Sequence, residues 1–182
     1  GLNVALGTGE TEGHQSEACE FAIRPATQAD LSGLVGAIRR VASEKPDIVA
    51  ETVADLIDRE EVLLRHNEIE SRMFFVACVE GEVVGWVHLK HVDLQKLKHT
   101  AELTLGVLEA YRGHGIGSQL LERGVRWADG QGLEKLYNAI PASNEEAIEF
   151  LEGHGFGTEA VREDHYKLNG HYIDEVMMAR EL

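Results

Sequence analysis

The chain has 182 residues, with Asp and Glu numbering 32 against 17 Lys and Arg and a formal net charge of -15. That field repels polyanions, which argues against a nucleic-acid binder and, for the same reason, against an anionic membrane surface. The 43% of hydrophobic residues can bury one sizeable core, and two cysteines, Cys19 and Cys78, make neither a disulfide framework nor a CxxC zinc site.

Residues 1–20 are glycine-rich and polar, carry no signal-peptide core, and are expected to be disordered. No apolar run approaches the roughly 18 residues of a membrane span, so a soluble protein of the reducing cytoplasm is expected. One domain is expected over 21–182.

Residues 21–25 predict a short strand. Thr27 with Asp30 three residues on predicts a capping box. Leu31, Leu34, Val35, Ile38 and Val41 then follow at helical spacing. Pro46 interrupts, and a second, acidic helix is predicted over 51–70. Residues 73–80 and 82–90 predict a hairpin turning at Gly81, with Cys78 as a buried, inert thiol. A strand over 101–108, a glycine-dense turn, and a helix ending near Gln131 follow. A strand is predicted over 133–140, then a helix capped by Ser143 with Glu146. Two final strands, 157–168 and 171–180, meet at Asn169-Gly170, a strong hairpin signal. The order β-α-α-β-β-β-α-β-α-β-β predicts an α/β (α+β) domain on a mixed, largely antiparallel sheet flanked by helices.

The most informative segment is Tyr111-Arg112-Gly113-His114-Gly115-Ile116-Gly117, between a predicted strand and a predicted helix. Glycines there let backbone N–H groups approach a ligand, and the helix N-terminus adds partial positive charge. Such a turn suits a phosphate or pyrophosphate. A Walker loop needs a lysine after its last glycine, and here Ser118 follows Gly117. A dinucleotide fingerprint needs a small residue where Leu120 stands.

Arg112, Gly115 and Gly117 match the pattern Arg/Gln-x-x-Gly-x-Gly/Ala, and the chain resembles the GNAT superfamily of acetyl-CoA-dependent N-acetyltransferases. The resemblance extends to Ala101-Glu102-Leu103-Thr104-Leu105-Gly106-Val107, similar to that family's central strand, and to the segment from Asn144 to Gly155-Phe156, similar to its Asn-led helix.

The resemblance implies a single N-acetyltransferase domain over 21–182, with acetyl-CoA as acyl donor and no metal. Backbone N–H groups of Arg112, Gly113, His114, Gly115, Ile116 and Gly117 would hold the pyrophosphate, with Arg112 capping its charge. The pantetheine arm would lie along Leu105, Gly106 and Val107, where a strand N–H would stabilise the oxyanion, and Asn144 would contact CoA. Glu102, on one face with Thr104 and Gly106, is the candidate general base for a protonated amine. The family's usual acid, a tyrosine, aligns with Leu151. That leaves Tyr111, Tyr137, Tyr166 and Tyr172, or solvent protonation of a leaving thiolate.

Nine histidines invite a metal hypothesis. His88 and His91 are expected on opposite faces, and His154, His165 and His171 read as solvated turn or strand-edge residues. The resemblance implies an acceptor groove lined by the first two helices and the loop between them, where Glu44, Asp47 and Glu51 would attract a cationic acceptor, while Arg123, Arg126 and Lys135 would supplement Arg112 against the CoA phosphates. Two functions fit: acetyl transfer to a primary amine of a small molecule, polyamine-like compound or peptide N-terminus, and an acyl-CoA-binding regulatory or degenerate domain with little turnover. C-terminal edge strands offer a surface for a homodimer. The acidity itself suits either steering of a cationic acceptor or a high-salt cytoplasm, since six of the 17 basic residues are lysine.

Overall fold

The computed structural model describes residues 19–44, 72–91 and 94–182. Most of the N-terminal segment, the acidic helix predicted over 51–70, and Asp47 and Glu51 lie outside them. Seven strands form one sheet in the order β1-β2-β3-β4-β5-β7-β6: β1 (Ala22–Pro25), β2 (Arg72–Val79), β3 (Glu82–Lys90), β4 (Thr100–Val107), β5 (Lys135–Pro141), β6 (Gly157–Leu168) and β7 (His171–Glu181). Every pairing is antiparallel except β4 with β5. Among the described residues three α-helices flank the sheet: α1 (Leu31–Glu44), α2 (Ile116–Gly130) and α3 (Glu145–Glu152).

Local chemistry explains the boundaries. Asp30 Oδ2 accepts from the Thr27 N–H at 2.8 Å and from the Thr27 hydroxyl at 3.2 Å, opening the turn that leads into α1. Arg24 donates twice more to the same carboxylate, at 2.6 and 2.7 Å. Both hairpin turns have positive φ at their central residues, Glu80 and Gly81 in one, Asn169 and Gly170 in the other, as two-residue hairpins demand. The third helix starts one residue later than expected: Asn144, not Ser143, is the residue before its first turn.

The predicted stripe of α1 is buried at Leu34, Val35, Ile38 and Val41. α2 buries Ile116, Leu120, Leu121 and Ala128, and Gly124 lies against Val87, Leu89 and Leu103. This assigns Val87, Leu89 and Leu103 to the α2 face. Strand alternation turns Trp86, His88, Glu102, Thr104 and Gly106 to the other. Cys78 is part of the core, and burial pushes its thiol up from the ordinary value.

Candidate active site

The parallel ladder of β4 and β5 is short. It runs from Thr100 opposite Lys135 to Glu102 opposite Tyr137, yet β4 continues to Val107 and β5 to Pro141. Beyond this fork the two strands flank a split. Ladder phase decides which backbone groups face it, because residues of an antiparallel strand alternate in hydrogen-bonding direction. The Leu108 N–H donates to the Val84 carbonyl at 2.8 Å, so Glu102, Thr104 and Gly106 bond toward β3 and Leu103, Leu105 and Val107 face the split. On the far side, Ala142 N–H donates to the Asp174 carbonyl and Leu182 N–H to the Glu134 carbonyl. Leu136, Asn138 and Ile140 therefore bond toward β7, and Tyr137, Ala139 and Pro141 face the split.

Leu105 and Val107 thus present backbone groups to the split, while those of Gly106 pair with Trp86. Gly106 has a different function. A Cβ built there would lie 2.3 Å from the Trp86 ring, so only glycine admits the indole over the strand.

Above the split, Gly113 and Gly115 take φ of 80° and 82°, a left-handed conformation that glycine adopts without penalty. Gly115 precedes the first turn of α2, whose leading N–H groups have no intrahelical partner. Ile116 and Gly117 are buried, His114 half-buried, and Gly113 and Gly115 exposed. Asn144, 2% exposed, sits where β5 gives way to α3.

Arg112 does not extend outward from this loop. Its Nε donates to the Val107 carbonyl at 3.0 Å, and its Nη2 donates to Glu44 Oε2 at 2.8 Å. Glu44 Oε1 also accepts from the Glu109 N–H at 3.3 Å. Glu44, expected to attract a cationic acceptor, is engaged with a residue of the loop. The supplementary cations are elsewhere too. Lys135 pairs with Glu159 at the opposite end of β5, and Arg123 lies over the Phe75 ring at 5.1 Å.

Glu102 is half-buried and in register with Tyr137 at the fork. Burial and the Glu102 charge both push the Tyr137 phenol up. Tyr166 is bound to Glu175, and Tyr172 is 60% exposed at the β6–β7 hairpin with Lys167 over its ring. Of the four tyrosines, only Tyr137 and Tyr111 lie beside the split or its loop. Leu151 is fully buried.

Several side chains of the site escape sequence reasoning. His88 is 9% exposed and stacks on Phe74 with ring centroids 4.1 Å apart. Thr104, its register partner on the Glu102 face, buries a hydroxyl without a hydrogen-bond partner. His154 is not solvated as expected. Its Nδ1 lies 2.7 Å from the Phe150 carbonyl and its Nε2 2.9 Å from Ser118 Oγ in the first turn of α2. A carbonyl only accepts, so Nδ1 carries a proton, and in the neutral ring Ser118 donates to Nε2. His165 is exposed as expected, its Nε2 3.8 Å from Glu175.

The model of the Acetyltransferase (GNAT) family matches residues 41–156. The chain belongs to the GNAT acetyltransferase family. The chemistry of this GNAT protein is therefore acetyl transfer with acetyl-CoA as donor. It is 29% identical over 168 residues to the Bacillus subtilis protein YwnH, covering 88% of this chain and 98% of YwnH. It is 27% identical over 135 residues to an L-methionine sulfoximine/L-methionine sulfone acetyltransferase of Pseudomonas aeruginosa, covering 74% of this chain and 78% of that one. A ribosomal-protein-alanine N-acetyltransferase structure from Brucella melitensis superposes with TM-score 0.76 at 31% identity, over 88% of this chain and 99% of that chain. Among the described residues no helix is long and apolar enough to cross a membrane.

Proposed function

We propose that residues 21–182 form one cytoplasmic N-acetyltransferase domain. It moves an acetyl group from acetyl-CoA to a primary amine, of a small molecule or a peptide N-terminus, by direct attack in a ternary complex. The observation that carries this reading is the β4/β5 split, lined by backbone groups of Leu105 and Val107 and continuous with the loop from Arg112 to Gly117. An amide-bearing pantetheine arm satisfies strand groups left open there, the Val107 carbonyl excepted because it already accepts from Arg112 Nε, and the left-handed glycines and α2 N-terminus suit a pyrophosphate.

In this reading Glu102 takes the proton of the attacking amine, directly or through water. The nitrogen adds to the thioester carbonyl, and a split-facing N–H of Leu105 or Val107 stabilises the oxyanion. Collapse expels the CoA thiolate. Tyr137, kept protonated by burial and by Glu102, is positioned at the fork as its proton donor. Asn144 adds a cofactor contact at the end of β5. Arg112 contributes its backbone and braces the loop through Glu44. A homodimer through the C-terminal strands accompanies this reading.

A second reading, an acyl-CoA-binding domain with little turnover, is favoured by Leu151, a fully buried apolar side chain at the position where the family resemblance implies a tyrosine acid. Measuring CoA release from acetyl-CoA over a panel of amines separates the two. Amine-dependent release supports transfer. Tight acetyl-CoA binding without release on any amine, thiol or hydroxyl supports the binding domain.

A further inference from the structure

We propose that Asn138 is a further binding residue of the acyl-donor split, with its side-chain NH2 donating to an amide carbonyl of the pantetheine arm. The proposal rests on the acetyl-CoA reading above.

Asn138 lies on β5 between Leu136 and Ile140, both fully buried, and is itself 2% exposed. A carboxamide there is a departure from the apolar pattern of the strand's inward face, and a buried polar group without a partner is costly. One end of the amide is accounted for. Asn138 Oδ1 accepts the Ala139 N–H at 2.7 Å. By ladder phase this N–H faces the split, where the pairing with β4 has already ended at Tyr137. The side chain therefore replaces the missing strand at the open edge of β5.

That bond also fixes the orientation of the amide. Exchanging oxygen and nitrogen would set an NH2 against an N–H, donor against donor, so the oxygen must be the atom facing Ala139. The nitrogen is then the other end of a group held at the rim of the split. Asn138 Nδ2 is buried and has no hydrogen-bond partner.

An orphaned donor calls for an acceptor. An ammonium group presents only N–H donors to it and would leave it unsatisfied. A carbonyl oxygen satisfies it, and the pantetheine arm carries two amide carbonyls on a chain narrow enough to run between strands. Asn138 thereby places a side-chain donor on the β5 edge opposite the backbone groups of Leu103, Leu105 and Val107.

The test compares binding of acetyl-CoA with that of adenosine 3′,5′-bisphosphate, the nucleotide without the arm, by calorimetry on the full chain. Asn138→Leu keeps the side-chain size without hydrogen bonds, and Asn138→Ala guards against a misfit of the leucine. Both variants should bind acetyl-CoA about five- to thirtyfold more weakly, with bisphosphate affinity within about twofold of the parent. Parent-like acetyl-CoA affinity in both variants overturns the proposal. So does an equal loss for both ligands, which marks general damage rather than contact with the arm. A parent that binds neither ligand sinks the acetyl-CoA reading itself.

Discussion

The Arg112 guanidinium donates to Glu44 at 2.8 Å, joining the glycine loop to the last residue of α1. The side chains are only 11% and 20% exposed, so screening is weaker than at a surface pair. Glu44→Ala should cost about 1–3 kcal/mol and lower Tm by about 2–10 °C. A double-mutant cycle with Arg112→Ala should return a coupling of about 1 kcal/mol or more. Additive effects would show that the contact carries no energy.

His154 and Ser118 form a second brace, between the end of α3 and the start of α2. His154→Phe retains the ring but removes both hydrogen bonds, so stability should fall by about 1–3 kcal/mol. Ser118→Ala removes one of them and should cost less. Urea unfolding of the two variants measures the order, and a Ser118→Ala variant less stable than His154→Phe would reverse the assignment.

Glu102 and Tyr137 are in register at the fork, and their substitutions should separate by pH. Glu102→Gln should depress kcat/KM steeply at low pH and less at high pH, where more free amine exists. Tyr137→Phe should lower kcat across the profile by about 10- to 100-fold if protonation of the thiolate limits turnover. A Glu102→Gln rate equal to the parent from about pH 6 to 10, a range spanning ordinary amine titration, removes Glu102 from the mechanism.

Asp30 provides an acid-stability prediction. Hydrogen bonds from Arg24 lower its pKa from 3.8 to about 2, against an opposing effect of burial, and the Thr27 N–H adds to the lowering. A depressed folded-state value means that the stabilisation is present above the unfolded value, near 4, and is lost as pH falls through about 2. Because Arg24 keeps 45% of its side chain in water, the contribution is about 1–2 kcal/mol. Denaturant unfolding at neutral pH and near pH 2 should show the gap between parent and Asp30→Asn narrowing by that amount on acidification. A constant gap contradicts the linkage.

The charge of -15 predicts a salt effect. Steering of a cationic amine requires kcat/KM to fall as salt rises. A flat profile together with stability that climbs with salt favours solvation in a high-salt cytoplasm as the reason for the acidity.

Much of this protein is legible in one dimension. The stripe of α1, the Thr27–Asp30 box, the Asn169-Gly170 turn and the glycine loop are local patterns whose meaning depends on residues a few positions away. Together they specify the fold and the family. What the tertiary structure alone decided depends on register and on distant pairing. Arg112 reads as a phosphate cap until its partner 68 residues away in sequence is seen. Leu105 and Gly106 look equally suited to the donor arm until the phase of the β3 ladder turns one toward the split and the other away from it. His154 and Asn138 carry no motif, since a histidine after a helix or an asparagine in a strand acquires a role only from the carbonyl, hydroxyl or open strand edge that folding places beside it. Periodicity specifies which face a side chain takes; only the packed sheet specifies what it meets there.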